Sequence, residues 1–323
     1  MMFDIVPLAE RMVPGLLKSG RPSVACVCTT RPKYLVFDGD ATRPACVVEF
    51  GDETRLRKTD RILSALSAAM PRGAVARSLC CAPWRDGLWV HVQEGLGGTP
   101  WFRLADVIST REAWEAFIAR ATGVMLQLHA AISRERAWTG SLLIGTELNR
   151  QASECLMNAT PLDTRVYRFA AEWSEALDGV GPIPTCWQHG DFSLNNLLAS
   201  PQSVAIIDFE EFGLTLAPLH DAFGLALSVT LSQEERCPLS LAECIKLTVE
   251  PCVAPAGVAL DHLPALLMHH LLWRINQCHG VDRRARLRDI LIRWAGELAE
   301  STDAFFPGLT TPIVGDRRTA ALQ

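Results

Sequence analysis

The sequence has no apolar run that approaches the roughly 18 uncharged residues needed to cross a bilayer. Its most apolar segment, LPALLMHHLLW (263–273), is short and carries two histidines. The opening residues MMFDIVPLAERMVPGLL lack the unbroken apolar core of a secretory leader, because Asp4, Glu10, Arg11 and two prolines interrupt them. A cytoplasmic protein with no membrane partner is expected. There is also no basic excess: a formal net charge of −5 withholds the electrostatic footprint that a phosphate backbone demands, which excludes nucleic acid as a partner. No CxxC pair occurs. The 11 cysteines are scattered, with only Cys26/Cys28 and Cys80/Cys81 close together, so they read as buried thiols used as small hydrophobes rather than as a zinc site. Internal repeats and low-complexity segments are absent, which excludes solenoids and arrays.

What is present is core-forming material. A hydrophobic content of 49% over 323 residues suffices for two lobes of unequal size. After a helix expected over 6–19, the runs SVACVCTT (23–30), YLVFDGD (34–40) and ACVVEF (45–50) are separated by turn formers and predict an antiparallel meander. LRKTDRILSALSAAM (56–70) spaces Leu56, Leu63 and Leu66 as a helix does, and GLWVHVQEGL (87–96) returns to strand character. From about residue 101 the pattern is helical, over 103–110, 112–132, 164–179, 265–278 and 283–300. The chain thus predicts a lobe over 1–96, a helical lobe over 97–310 and a tail over 311–323.

A compact strand–loop–strand interrupts the helical part. It contains His189-Gly190-Asp191 and, five residues after Asp191, Asn196; Asp208 then closes the apolar run AIIDFE. Phosphoryl transfer asks little covalent help of a protein, but it needs a carboxylate to orient the attacking hydroxyl and oxygen ligands that hold magnesium on the phosphates. Asp191, Asn196 and Asp208 are of those types. A hairpin of Leu197-Leu198 and Ala205-Ile206-Ile207, turning at Ser200-Pro201-Gln202, would return Asp208 to the loop of Asp191 and Asn196. For the two aspartates the competing reading is capping or surface carboxylate, which does not account for their joint spacing.

These residues resemble the aminoglycoside phosphotransferase and choline kinase-like superfamily, whose catalytic loop reads HGDxxxxN and whose metal loop reads IDxE or IDxD. APLHDAFG supplies Pro218 and Asp221 where the family has GDPxxDLA, and MLQLHA supplies Leu128 and His129 where it has LxxLH. The resemblance covers residues 23–225 and implies an α+β, bilobal, protein-kinase-like fold with a small β-rich N-lobe and a larger helical C-lobe. It further implies ATP, with GTP left open, Mg2+, and a small-molecule hydroxyl substrate. By the same resemblance Asp191 is the catalytic base or the hydroxyl-positioning carboxylate, Asn196 and Asp208 are magnesium ligands, and His189 and Asp221 brace the loops. Lys33 and Glu94 fall on the nucleotide side, and Glu210 and Glu211 are candidates for substrate contact or the metal shell.

One family feature is missing. The lysine expected on the third strand is replaced by Glu49, and its helical glutamate partner by Thr59. A carboxylate facing polyphosphate is repulsive, so Glu49 must point away or be neutralised by magnesium or a nearby cation; otherwise the lobe has given up phosphate binding. Lys33, Arg55, Arg57 and Lys58 are the cations at hand. Two functions follow: a small-molecule kinase acting on an aminoglycoside-like compound, amino alcohol or sugar, or a pseudokinase that binds nucleotide or regulates without catalysis. Among the nine tryptophans, Trp138, Trp187 and Trp273 raise the alternative of an aromatic cage for a quaternary ammonium, against ordinary packing.

Overall fold

The structure, a computed structural model, describes residues 4–27, 31–100, 103, 108–231 and 238–308. Residues 104–107 of the helix expected over 103–110, the tail over 311–323, and Thr29 and Thr30 of the first turn lie outside the described residues. The chain forms two compact units, Met1–Ile108 with Leu194–Glu210, and Ser109–Ser193 with Glu211–Gln323.

In the first unit α1 (Ile5–Met12) is shorter than its pattern predicts, because Val13-Pro14-Gly15 ends it: proline cannot continue the ladder and Gly15 turns at φ +78°. Five antiparallel strands follow in the order β1-β2-β3-β5-β4: β1 (Pro22–Val27), β2 (Lys33–Asp38), β3 (Cys46–Gly51), β4 (Ser78–Pro83) and β5 (Trp89–Glu94). Strand alternation divides the sheet. Val36, Cys46, Val48, Val90 and Val92 form a buried apolar layer with Ile5 and Leu8 of α1. The opposite face carries a polar row in register across four strands, Lys33 opposite Glu49, Glu49 opposite His91, and His91 opposite Cys81.

Helix α2 (Glu53–Ala69) opens one turn earlier than its leucine spacing suggests, because the Asp52 side chain caps it by accepting the Arg55 N–H at 2.8 Å. It buries Leu56, Ile62, Leu63 and Leu66, each contributing about 1.5–3 kcal/mol. A three-stranded sheet completes the unit: β6 (Thr99–Pro100) pairs with the expected hairpin, whose strands are Leu197–Ala199 and Val204–Ile206.

The second unit is helical: α3 (Arg111–Ile132), α4 (Ile144–Met157), α5 (Thr164–Asp178), α6 (His220–Leu231), α7 (Leu241–Val253), α8 (Leu263–Gln277) and α9 (Ala285–Glu300). One antiparallel pair, Thr139–Leu142 with Ile183–Cys186, lies among these helices. Ser240 and Glu243 form a capping box at the start of α7. Helix α8 is buried almost all round, from Leu263 to Trp273, as a central helix must be. No helix among the described residues is long and apolar enough to cross a membrane.

Candidate active site

In the first unit, the hairpin fixes Asp208. The Ile207 N–H donates to the Asn196 carbonyl at 2.9 Å, which joins the two ends of the hairpin and brings Asp208 beside Asn196. Asp208 has φ +64°, a left-handed conformation that costs a non-glycine residue about 1 kcal/mol or more and persists only where surroundings impose it. Lys33 Nζ lies 3.1 Å from Asp208 Oδ1 and 4.0 Å from Glu210 Oε1. Burial alone would pull the Lys33 pKa down, but Asp208, Glu49 and Glu210 outweigh it and raise it. A cleft is lined by Lys33, Glu49, Thr59, Asp208 and Glu210 over an apolar floor that includes Ile206.

Glu49 is buried, with 3% exposure, and Arg55 of α2 neutralises it through an ion pair. This resolves the repulsion posed by a carboxylate on the third strand. Arg55 also lies 3.7 Å from Glu210, and Arg31 pairs with Glu210 from the other side. Glu94, at the end of β5, is held between Arg43 at 2.8 Å and Arg77 at 3.0 Å. Burial would raise its pKa, and the two guanidinium groups lower it instead.

In the second unit, fully buried Asp221 organises the His189-Gly190-Asp191 turn. It accepts the backbone N–H of His189 at 2.8 Å and of Gly190 at 2.9 Å, and the ring N–H of His129 at 2.8 Å. Burial pushes its pKa up, but the His129 hydrogen bond and the nearby His129, His189 and His220 rings bring it down to about 2. Gly190 sits at φ +88°, and a Cβ there would stand 2.5 Å from the Glu211 carbonyl, so only glycine fits.

The Gly190 carbonyl also accepts from His220 Nε2 at 3.2 Å. Burial holds His220 neutral, with its pKa lowered to about 3. Its Nδ1 therefore accepts, and the His270 Nδ1–H must donate to it across 3.2 Å. His129 and His270 thus belong to the hydrogen bonds under the turn. His269 instead faces Glu147 at 3.4 Å.

Asp191 Oδ1 lies 3.2 Å from Arg274 of α8, whose guanidinium is also 3.5 Å from Glu211. Arg55 is one of the cations the sequence offers for Glu49, whereas Arg274 as the partner of Asp191 and Glu211 escapes a motif-based reading, since arginine in an amphipathic helix carries no signal of its partner. Trp138 and Trp187 stack with centroids 6.1 Å apart and both meet Phe212 edge-on, an arrangement of mutual packing. Trp273 packs edge-on to His220.

Within the described residues no group of three or more His, Cys, Asp or Glu side chains gathers to hold a metal. The oxygen donors of Asn196 and Asp208 suit a hard cation that keeps waters and takes its other ligands from phosphates, as magnesium does.

A sequence model described as the phosphotransferase enzyme family, APH, matches residues 32–246. No curated protein matches in sequence. Among solved structures, a presumptive aminoglycoside phosphotransferase from Ralstonia eutropha JMP134 is 15% identical with a TM-score of 0.62, covering 93% of this chain and 97% of its own. A glucosamine kinase in complex with glucosamine, ADP and inorganic phosphate is 16% identical with a TM-score of 0.55, covering 98% and 87%. A thermostable mutant of the aminoglycoside phosphotransferase APH(4)-Ia, in ternary complex with AMP-PNP and hygromycin B, is 15% identical with a TM-score of 0.54, covering 88% and 96%. The α+β kinase-like fold is common to all of them.

Proposed function

Because the chain belongs to the phosphotransferase enzyme family, we propose that it transfers the terminal phosphoryl group of ATP to a hydroxyl of a small molecule: an aminoglycoside-like compound, an amino alcohol or a sugar. The observation that carries this reading is the strained Asp208, tied to Asn196 through the hairpin and met by the ammonium of Lys33. A carboxylate met by a cation, next to a residue that carries an amide, suits a metal-bound polyphosphate. The nucleotide and hydroxylated ligands of the glucosamine kinase and of APH(4)-Ia support the same substrate classes here.

In this reading Asp191 orients the acceptor hydroxyl and takes its proton as the oxygen attacks the terminal phosphorus and ADP leaves. Asn196 and Asp208 would hold magnesium, which neutralises charge on the phosphates. Lys33 and Glu94 serve the nucleotide side. His189 and Asp221 keep the backbone of the turn in place, and Glu210 and Glu211 serve the acceptor or the metal shell. The pseudokinase reading rests on Glu49 and Thr59, and the Arg55–Glu49 pair together with Lys33 weighs against it.

Calorimetric titration of ATP, with and without magnesium, tests the reading on the native protein and on Asp208→Ala. Magnesium-dependent binding that the substitution abolishes is expected, followed by ADP release with one class of a hydroxylated acceptor panel. A native protein that binds neither ATP nor GTP sinks the kinase reading.

A further inference from the structure

The sequence contains four lysines, Lys18, Lys33, Lys58 and Lys246. Three are exposed, and Lys33 alone is withdrawn from solvent, at the cleft that Glu49, Thr59 and Asp208 also line. The sheet register explains how it arrives there. Lys33 of β2 and Glu49 of β3 are directly opposed on one face. Side chains so opposed start about 4.5–5.5 Å apart, so a cation on β2 reaches the same cleft that a cation on β3 would reach.

A buried carboxylate such as Glu49 is heavily penalised without a partner. The partner is held at several points. Arg55 pairs with Glu49, donates from Nη2 to the Phe50 carbonyl at 2.9 Å, and has its own backbone N–H taken by the Asp52 cap. A Cβ at residue 51 would collide with Arg55 Nη2, so Gly51 leaves the space that the guanidinium fills. One turn further along α2, the Thr59 hydroxyl donates back to the Arg55 carbonyl at 3.2 Å. With Arg55 answering Glu49, the ammonium of Lys33 is left to Asp208. A strand lysine at residue 49 and a helical carboxylate at residue 59 are both unnecessary in this arrangement.

We propose that the cation gripping the nucleotide phosphates is carried by β2 instead of β3, as Lys33, and that Glu49, neutralised by Arg55, is the positioning residue that keeps the Lys33 stem beside Asp208. The inference rests on the proposed nucleotide site. It reverses the polarity of the strand–helix ion pair: the strand contributes the carboxylate and the helix the cation.

Charge counting and positioning give opposite expectations for Glu49→Gln. Removing an anion near polyphosphate should tighten ATP binding if charge alone matters. Loss of the anion directly opposite Lys33 on the neighbouring strand should weaken it by about tenfold. Calorimetry with Mg-ATP on the native protein, Asp208→Ala, Lys33→Met and Glu49→Gln, each first shown to be folded by circular dichroism, reads the difference. Expected are a loss of at least about tenfold for Lys33→Met and a similar loss for Glu49→Gln.

A second measurement labels the proteins with the lysine-directed 5′-fluorosulfonylbenzoyl adenosine and maps the modified peptide by mass spectrometry. Lys33 should be modified in the native protein, protected by Mg-ATP, and modified more slowly in folded Glu49→Gln. Native binding that survives in Lys33→Met, or label on another residue, overturns the Lys33 assignment while leaving the kinase reading intact. Unchanged or tighter binding by Glu49→Gln overturns the role of Glu49. Absence of binding to the native protein removes both the inference and the reading beneath it.

Discussion

Replacing Asp221 with asparagine changes one fully buried atom and tests the account of the catalytic turn. Oδ2 of Asp221 accepts from His189 N–H and from the His129 ring, and Oδ1 accepts from Gly190 N–H. An asparagine has one acceptor oxygen, so whichever way its amide is turned, an NH2 faces at least one N–H donor with no water to intervene. Stranding one buried donor costs about 1–3 kcal/mol, and replacing the charged acceptor by a neutral one weakens the bonds that remain, so a total loss of about 3–5 kcal/mol is expected. Against the roughly 5–15 kcal/mol typical of a folded domain this is a large fraction, readable as a lowered urea midpoint.

The pH dependence gives a second signature. The Asp221 carboxyl is lowered from its ordinary 3.8 to about 2, so its contribution is present above pH 3.8 and is lost as the pH falls toward 2. That shift corresponds to about 2 kcal/mol, which the native protein should lose across this window and Asp221→Asn should lack. A variant less than about 1 kcal/mol weaker than native, or one that keeps the native acid profile, would refute the reasoning.

Gly190→Ala should unfold at a lower temperature and lose phosphotransfer, because its left-handed backbone costs about 1 kcal/mol for alanine and the Glu211 carbonyl stands 2.5 Å from the new Cβ; an unaltered melting curve would contradict the geometry. Arg274→Met removes the cation 3.2 Å from Asp191 and should lower kcat/KM for the acceptor about 10- to 100-fold. Its Kd for Mg-ATP, measured in the same preparation, should stay within about twofold of native; a fall in nucleotide affinity with unchanged turnover would reverse the assignment.

The candidate site is legible in the sequence where its residues are close together and fixed in type. His189, Gly190, Asp191, Asn196 and Asp208 span one loop and one hairpin, so spacing alone suggests which backbone ends meet, and the register Val204 opposite Ala199 agrees with the expected turn. The sheet is legible from its valine-rich runs, except β4. That strand lies at the sheet edge, where Cys80-Cys81-Ala82-Pro83 shows no clear alternation and a proline is tolerated. Helix α4 escapes a reading by periodicity because polar residues dilute its buried positions Leu148, Ala152 and Cys155. Arg274 lies beyond reach for another reason: an ion pair depends on where two side chains converge, and nothing in local composition encodes its convergence on Asp191.

The first unit is not continuous in the chain, and this orders the events of synthesis. When residue 108 has been made, the strands Leu197–Ala199 and Val204–Ile206 do not yet exist, Thr99–Pro100 has no neighbour to pair with, and Lys33 has no Asp208 to meet. At ribosomal speed the intervening residues 109–193 take on the order of ten seconds. Through that interval Lys33, at one end of the polar row, waits for Asp208, and the first-made of the two units is completed only by residues 194–210.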